Sequence, residues 1–252
     1  MQTHSTNELI ITNTIGAVFE IQINRPDKLN ALTDSMYGSL IEKLIQAEND
    51  TEIKVILLRS SGPHFSAGND LADFIEIEFN FESNVMQFLV TLAKLTKPII
   101  AAVNGAAVGI GTTLLLHCDL VYAAQDTKFS LPFIKLGLTP EGGSSKLLAE
   151  RCGALKANDW LFTGRNILAN EALTSGLINQ VNKDRQSNWD AAMLCSQKLA
   201  KNSNEVLFET KKILKAEQIP NVIESIRKEA EIFAKRLDSN EAKTAFSTFL
   251  NR

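Results

Sequence analysis

Residues 9–24 set two short apolar runs, Leu9-Ile-Ile-Thr and Ala17-Val-Phe-Glu-Ile-Gln-Ile-Asn, around Asn13-Thr-Ile-Gly16. Alternating positions flanking turn residues predict a hairpin. From about Thr33 to Ala47 the spacing changes: Met36, Leu40, Leu44 and Ile45 share one helical face, and Thr33 or Asp34 stands where a cap is needed. The run Lys54-Val-Ile-Leu-Leu-Arg then reads as a strand. The same grammar returns with a polar, glycine-containing loop at 60–70, a helix near 83–95 and the buried strand Pro98-Ile-Ile-Ala-Ala-Val. A third round predicts a helix at 112–117, a strand at 119–123 and the short Lys128-Phe-Ser run. Repeated strand–strand–helix units imply a layered α/β body.

From Gly143 onward strand signals fade. Helical spacing dominates through 147–161, 188–201 and 206–216. Pro220 precedes an amphipathic stretch with Val222, Ile223, Ile226, Ala230, Phe233, Ala234 and Leu237 on one side. Ala242, Ala245, Phe246, Phe249 and Leu250 close the chain. Such a helical layer either covers its own body or packs against neighbouring subunits, and the pattern leaves both open.

Composition narrows the class. With 252 residues, 44% hydrophobic and 22% charged, the chain matches a soluble globular protein with one extended core. The net charge is -3 and the basic residues are scattered, so nucleic acid is not an expected partner. The apolar stretch 98–116 is interrupted by Asn104 and three glycines, which makes a poor membrane span. The first eight residues lack a positive region followed by an apolar one, and the last three are not Ser-Lys-Leu, so a cytoplasmic location is expected. Cys118, Cys152 and Cys195 lie far apart, which disfavours a metal site or a disulfide framework and predicts buried reduced thiols.

Three glycine-bearing loops carry the candidate chemistry: Phe65-Ser-Ala-Gly-Asn-Asp-Leu71, Asn104-Gly-Ala-Ala-Val-Gly-Ile-Gly111 and Thr139-Pro-Glu-Gly-Gly-Ser-Ser145. Glycine lets a backbone amide face a ligand, and a helix amino-terminus favours an oxyanion or phosphate. The second loop has neither the dinucleotide spacing nor a phosphate-loop ending. On spacing alone, close helix–strand packing explains it as well.

Taken together, Asn24-Arg-Pro-Asp-Lys-Leu-Asn-Ala-Leu32, the first loop, and Pro98 through Gly111 resemble the enoyl-CoA hydratase/isomerase (crotonase) family, from about residue 8 to the carboxyl end. The resemblance implies a ClpP-like spiral core over residues 1–195. It also implies a helical region over 196–252 used for trimers, and hexamers built as dimers of trimers. Members bind acyl-CoA and polarise the thioester carbonyl with two backbone amides, here those of Asn69 and Ile110. The CoA and substrate contacts map to Lys28, Leu29, Ala31, Ala67, Gly68, Asn69, Asp70 and Leu71. Lys28 also reads as a plain turn residue, Asp70 as a cap and His64 as an exposed loop residue.

The hydratases of the family use two glutamates, and the matching positions here are Thr113 and Phe133. Without both carboxylates, hydration loses its acid–base pair. The remaining acid is Glu141, and Leu131 through Ser145 resembles the peroxisomal-type Δ3,Δ2-enoyl-CoA isomerases, in which this glutamate is the base. The implied reaction moves a 3-enoyl double bond to the 2-position without a metal, nicotinamide or flavin, CoA being part of the substrate. An acyl pocket would raise the proton affinity of Glu141 and a helix amino-terminus would lower it. Two other readings stand beside this one. One is an isomerase acting on ring-1,2-epoxyphenylacetyl-CoA or related thioesters; the other is a catalytically silent acyl-CoA-binding protein.

Overall fold

The computed structural model describes residues 8–250, and the side chains of Phe249 and Leu250 are outside the description. The stretch on which a secretory signal was judged, up to Asn7, and the final Asn251-Arg252 also lie outside it.

The expected hairpin forms from β1 (Ile10–Ile15) and β2 (Val18–Ile23), antiparallel with Ile15 opposite Val18. Its turn is Gly16-Ala17, two residues later than the polar cluster indicated, because Gly16 supplies the positive φ of 60°. Helix α1 (Asp34–Asn49) follows, with Thr33 Oγ1 accepting the Met36 N–H. Tyr37 and Ala47 join its buried stripe; Ile45, expected there, is 47% exposed.

Three further strands, β3 (Val55–Ser60), β4 (Ile99–Val103) and β6 (Leu120–Ala124), extend the sheet in parallel, and β9 (Gln180–Asn182) completes the order β1-β2-β3-β4-β6-β9. Both faces are buried. Ile56, Leu58, Ile99 and Ala101 enter the main core, while Val55, Leu57, Ile100 and Ala102 meet Ala192 and Met193. The latter pair belongs to α8 (Arg185–Ala200), so the division expected at 195 falls inside one helix. A second sheet collects β5 (Ala106–Val108), β7 (Lys128–Ser130) and β8 (Asn166–Leu168). Thus β4 and β6 join the first sheet while the strands that follow them, β5 and β7, join the second.

Several expectations change. The helix read at 112–117 is a single turn of α4 (Ile110–Thr113) continued as a 3-10 turn over 114–117. The helix read at 147–161 is two, α5 (Ser144–Cys152) and α6 (Ala154–Thr163), broken at Gly153, whose φ is 83°. Strands β8 and β9 stand where no strand was read. Cys118 is buried as expected, but Cys152 and Cys195 are only half-buried.

Short α2 (Leu71–Phe74) and α3 (Asn84–Lys94) complete the first half, and α7 (Ala169–Thr174) separates the last two strands. The carboxyl-terminal helices are α9 (Asn204–Lys215), α10 (Gln218–Leu237) and α11 (Asn240–Leu250). Asp119 anchors α9 through Lys211 and Lys215, each at 2.8 Å. Among the described residues no helix is long and apolar enough to cross a membrane.

Candidate active site

The segment 25–32 is pulled back on itself. Leu29 and Asn30 adopt φ of 52° and 57°, and Asn30 is fully buried. Left-handed backbone is costly for such residues and persists where the surroundings hold it. Here the Asn30 side chain supplies the hold: Oδ1 accepts the Arg25 N–H at 2.8 Å, and Nδ2 donates to the carbonyls of Ser61 and His64, both at 2.7 Å. The turn presents Lys28 and Leu29 to solvent.

The first glycine loop is laid against this turn. Ala67 N–H donates to Leu29 O at 3.0 Å, Leu32 N–H to Gly68 O at 2.8 Å, and Asp70 N–H to Leu32 O at 2.8 Å. Leu32 therefore faces Asn69 as a parallel bridge, which turns the Asn69 N–H to the opposite side. Asp70 pairs with Arg25 at 2.6 Å and caps α2 through Ala72 and Asp73. Against the upward push of partial burial, Arg25 and these N–H groups hold its carboxyl below the usual range. Asp70 thus acts in the loop's own architecture. The eight residues from Lys28 to Leu71 that the sequence singled out form one connected patch.

The second loop is stitched to the first by backbone. Ser66 N–H donates to Ala106 O, Val108 N–H donates to Ser66 O, and both bonds measure 3.0 Å. A Cβ on Gly68 would lie 2.9 Å from Val108 O, and one on Gly111 would lie 2.9 Å from Ser66 O. Close packing therefore explains both glycines. Gly109 differs: its surroundings are open, and its φ of 54° with ψ of -120° is a glycine conformation that turns the chain into α4. Ile110 is the first residue of α4 and has no residue one helical turn earlier to receive its N–H. Among the described residues, neither the Asn69 nor the Ile110 N–H meets a hydrogen-bond acceptor. His64, expected to be merely exposed, accepts the Ala106 N–H on Nδ1 at 3.1 Å and helps bind the two loops.

The third loop brings Glu141 to the same place through α4. Thr113, one turn after Ile110, donates to Glu141 Oε1 at 2.5 Å. Glu141 is 2% exposed, and its Oε2 has no hydrogen-bond partner among the described residues. Burial pushes its carboxyl up to about 8; the Thr113 hydroxyl opposes that rise and the charge of Glu229 adds to it. Behind the loop, His117 Nε2 bonds Gly142 O at 2.8 Å, and burial pushes that imidazole down to about 4, so it stays neutral. Phe133 lies in a group of rings with Phe74, Phe79 and Phe233, centroids 4.9–6.5 Å apart. A hollow of about 310 Å³ between β1 and α1 contains none of these residues.

The family model described as enoyl-CoA hydratase/isomerase matches residues 13–252. The chain belongs to this family. It is 36% identical over 201 residues to the 1,2-epoxyphenylacetyl-CoA isomerase of Escherichia coli, covering 77% of this chain and 76% of that one. It is 31% identical to human enoyl-CoA delta isomerase 2, covering 97% of this chain and 63% of that longer protein. Against the mitochondrial enoyl-CoA hydratase of Pongo abelii the identity is 30%, over 95% and 82% of the two chains. Among solved structures, Pseudomonas aeruginosa OdaA superposes with a TM-score of 0.95 at 38% identity, over 98% of this chain and all of that one. The architecture is the crotonase fold.

Three residues of the site were not legible in advance. Tyr37 is not among the positions read on the apolar face of α1, yet its buried hydroxyl bonds the Asn69 side chain. Asn30 carried a signal only in being an asparagine within a turn. Glu229 did carry one: it falls on the same helical face as Val222, Ile226 and Phe233, where a charge is out of place.

Proposed function

We propose that this protein is a Δ3,Δ2-enoyl-CoA isomerase whose base is Glu141. The observation that carries the reading is the state of that carboxyl: buried, bound through one oxygen by Thr113, and free at the other. A base of proton affinity near neutrality suits removal of a proton from carbon. Glu141 Oε2 takes a proton from C2 of the 3-enoyl thioester, and the electrons move through C2 and C1 to the carbonyl oxygen. The N–H groups of Asn69 and Ile110 receive the resulting dienolate oxygen, each worth about 3–4 kcal/mol in comparable sites. Glu141 then returns the proton at C4, the C2–C3 double bond forms, and the carboxylate is restored. Every step falls to protein groups, with CoA entering as part of the substrate and held along the Lys28–Ala31 and Ala67–Leu71 patch.

The hydratase alternative calls for a second free carboxylate. Thr113 and Phe133 supply none, and Glu229, the other acid near Glu141, is engaged with Gly143 and Ser145. Epoxide isomerisation on an aromatic CoA thioester remains a second reading, favoured by the ring cluster around Phe133 and by the relative from Escherichia coli. For assembly, we infer a homotrimer or dimer of trimers, supported by apolar side chains left exposed on α6 and α9, including Leu155 at 86% and Ile213 at 77%.

Ultraviolet detection of conjugated 2-enoyl-CoA formed from trans-3-hexenoyl- and trans-3-dodecenoyl-CoA tests the reading. Turnover by the wild type, reduced about 10²–10⁴-fold in Glu141→Gln with CoA binding retained, is expected. A correctly assembled wild type that converts neither substrate would sink it, and conversion of ring-1,2-epoxyphenylacetyl-CoA instead would establish the second reading.

A further inference from the structure

Helix α10 reaches the Glu141 loop through one side chain. Glu229 is 7% exposed and sits beside Val222, Ile226, Ala230 and Phe233 on the buried face of α10. Its Oε2 accepts the Gly143 N–H at 2.6 Å; its Oε1 accepts the Ser145 N–H at 3.0 Å and the Ser145 hydroxyl at 2.5 Å. The turn it grips is irregular, since Gly142 and Gly143 have successive φ values of 73° and 74°. A Cβ on Gly143 would stand 3.4 Å from both Ile226 and Val222, so α10 also walls the turn. From the opposite side His117 bonds the turn's backbone at Gly142 O.

The consequence concerns which amides Glu141 can use. Helix α5 begins at Ser144, and the N–H groups around its start would normally favour a nearby carboxylate. Glu229 occupies two of them, at Gly143 and Ser145, leaving Glu141 with Thr113 alone. Other groups around the pair bring little charge. Tyr37 from α1 is a buried phenol, His117 is neutral above about 4, and α3 contributes Leu89. Lys146 of α5 pairs with Glu150, and Arg236 of α10 with Gly137 O and Glu241.

We propose that Glu229 is a positioning residue for the reaction: it locks the 141–145 turn to α10, takes the α5 amides, and stands as a second carboxylate beside Glu141. The inference rests on Glu141 as the base and adds what makes it one. Without Glu229 the Gly143 and Ser145 amides lose their acceptor, so two donors close in sequence to Glu141 become free, and a like charge disappears. Both changes favour the ionised form of Glu141, making it a weaker base.

The test pairs the pH profile of kcat/KM with a direct titration of Glu141, followed by ¹³C NMR of Glu-labelled protein and assigned with Glu141→Gln. Glu229→Gln and Glu229→Met are compared with the wild type. The expected result is an inflection near 8 in the wild type that drops by about one pH unit or more in both variants, with KM changing little. A folded variant whose Glu141 titrates where the wild type's does would overturn the proposal and leave Glu229 as a simple cap. Failure of both variants to fold would also overturn it, making Glu229 a requirement of the fold. The NMR titration reads Glu141 without substrate, so it stays decisive even if the wild type turns over no 3-enoyl thioester.

Discussion

The Tyr37 hydroxyl of α1 donates to Asn69 Oδ1 at 2.5 Å, although 32 residues separate them. Tyr37 is 1% exposed and packs against Phe88; burial, then the negative charge of Glu141, pushes its hydroxyl well above 10. A neutral donor thus fixes the residue whose own N–H is proposed to hold the dienolate oxygen. Tyr37→Phe removes the bond and keeps the ring. We expect kcat to fall about 10-fold with KM nearly unchanged, and stability to fall by about 1–2 kcal/mol because Asn69 Oδ1 loses its partner. Steady-state kinetics and urea unfolding check both. An unchanged kcat would place the pair outside the chemistry.

Among the described residues, Thr113 donates the one hydrogen bond that the Glu141 carboxyl receives. Donation to the ionised form lowers a carboxyl's proton affinity, so Thr113→Val should move the alkaline inflection of kcat/KM above 8 and reduce activity at pH 7 about 10-fold or more. An inflection that stays in place would detach Thr113 from the base.

Glu141 also ties stability to pH. In the folded protein it keeps its proton up to about 8, whereas an unperturbed carboxyl loses it near 4.5. The folded state therefore binds the extra proton between these values; its contribution is complete below 4.5 and is lost as pH rises through 8. Glu141→Gln lacks this slope. Its stability relative to the wild type should rise from pH 5 to pH 8.5, by up to about 4 kcal/mol. Parallel melting curves across that range would show it, and a constant difference would refute it.

Gly68 combines a φ of 95° with a Cβ position 2.9 Å from Val108 O. Gly68→Ala must shift backbone beside Asn69, so activity should drop at least about 10²-fold while secondary structure, read by circular dichroism, is retained. Near-normal activity would show that the loop spacing tolerates movement.

Exposed Leu155 and Phe162 on α6 and Val206, Ile213 and Leu214 on α9 are apolar surface in search of cover. Sedimentation should find an assembly of three or six chains, with Leu155→Glu/Phe162→Glu or Ile213→Lys/Leu214→Lys reducing it. A wild type sedimenting as a single chain would remove the assembly proposal.

Legibility followed the reach of each interaction. Thr33 and the Met36–Leu44 stripe defined α1 because cap and period act within one helix. Strands β8 and β9 have three residues each and gain their pairing from β7 and β6, which no local pattern reports. Gly153 was visible as a breaker, but the apolar period ran past it and concealed the division of α5 from α6. At the site, the family motifs pointed to Asn69, Ile110 and Glu141. What surrounds them, Tyr37 and Glu229 above all, comes from helices whose side chains meet the loops only after folding. The competing pulls on Glu141 also needed coordinates, because the helix amino-terminus that would have lowered its proton affinity is already claimed by Glu229.

The two glycine loops are joined chiefly by main-chain bonds between Ser66, Ala106 and Val108. A spacing written in peptide units survives almost any exchange of side chains around it, provided the glycines that permit the contact stay. On the proposed function, the oxyanion pocket and the acid beside it are therefore separable inventions: carboxylates placed at 113, 133 or 141, or withdrawn from them, would leave in place the amides that are to hold a thioester oxygen. On that reading one frame can host successive chemistries, chosen by which of those three positions carries an acid.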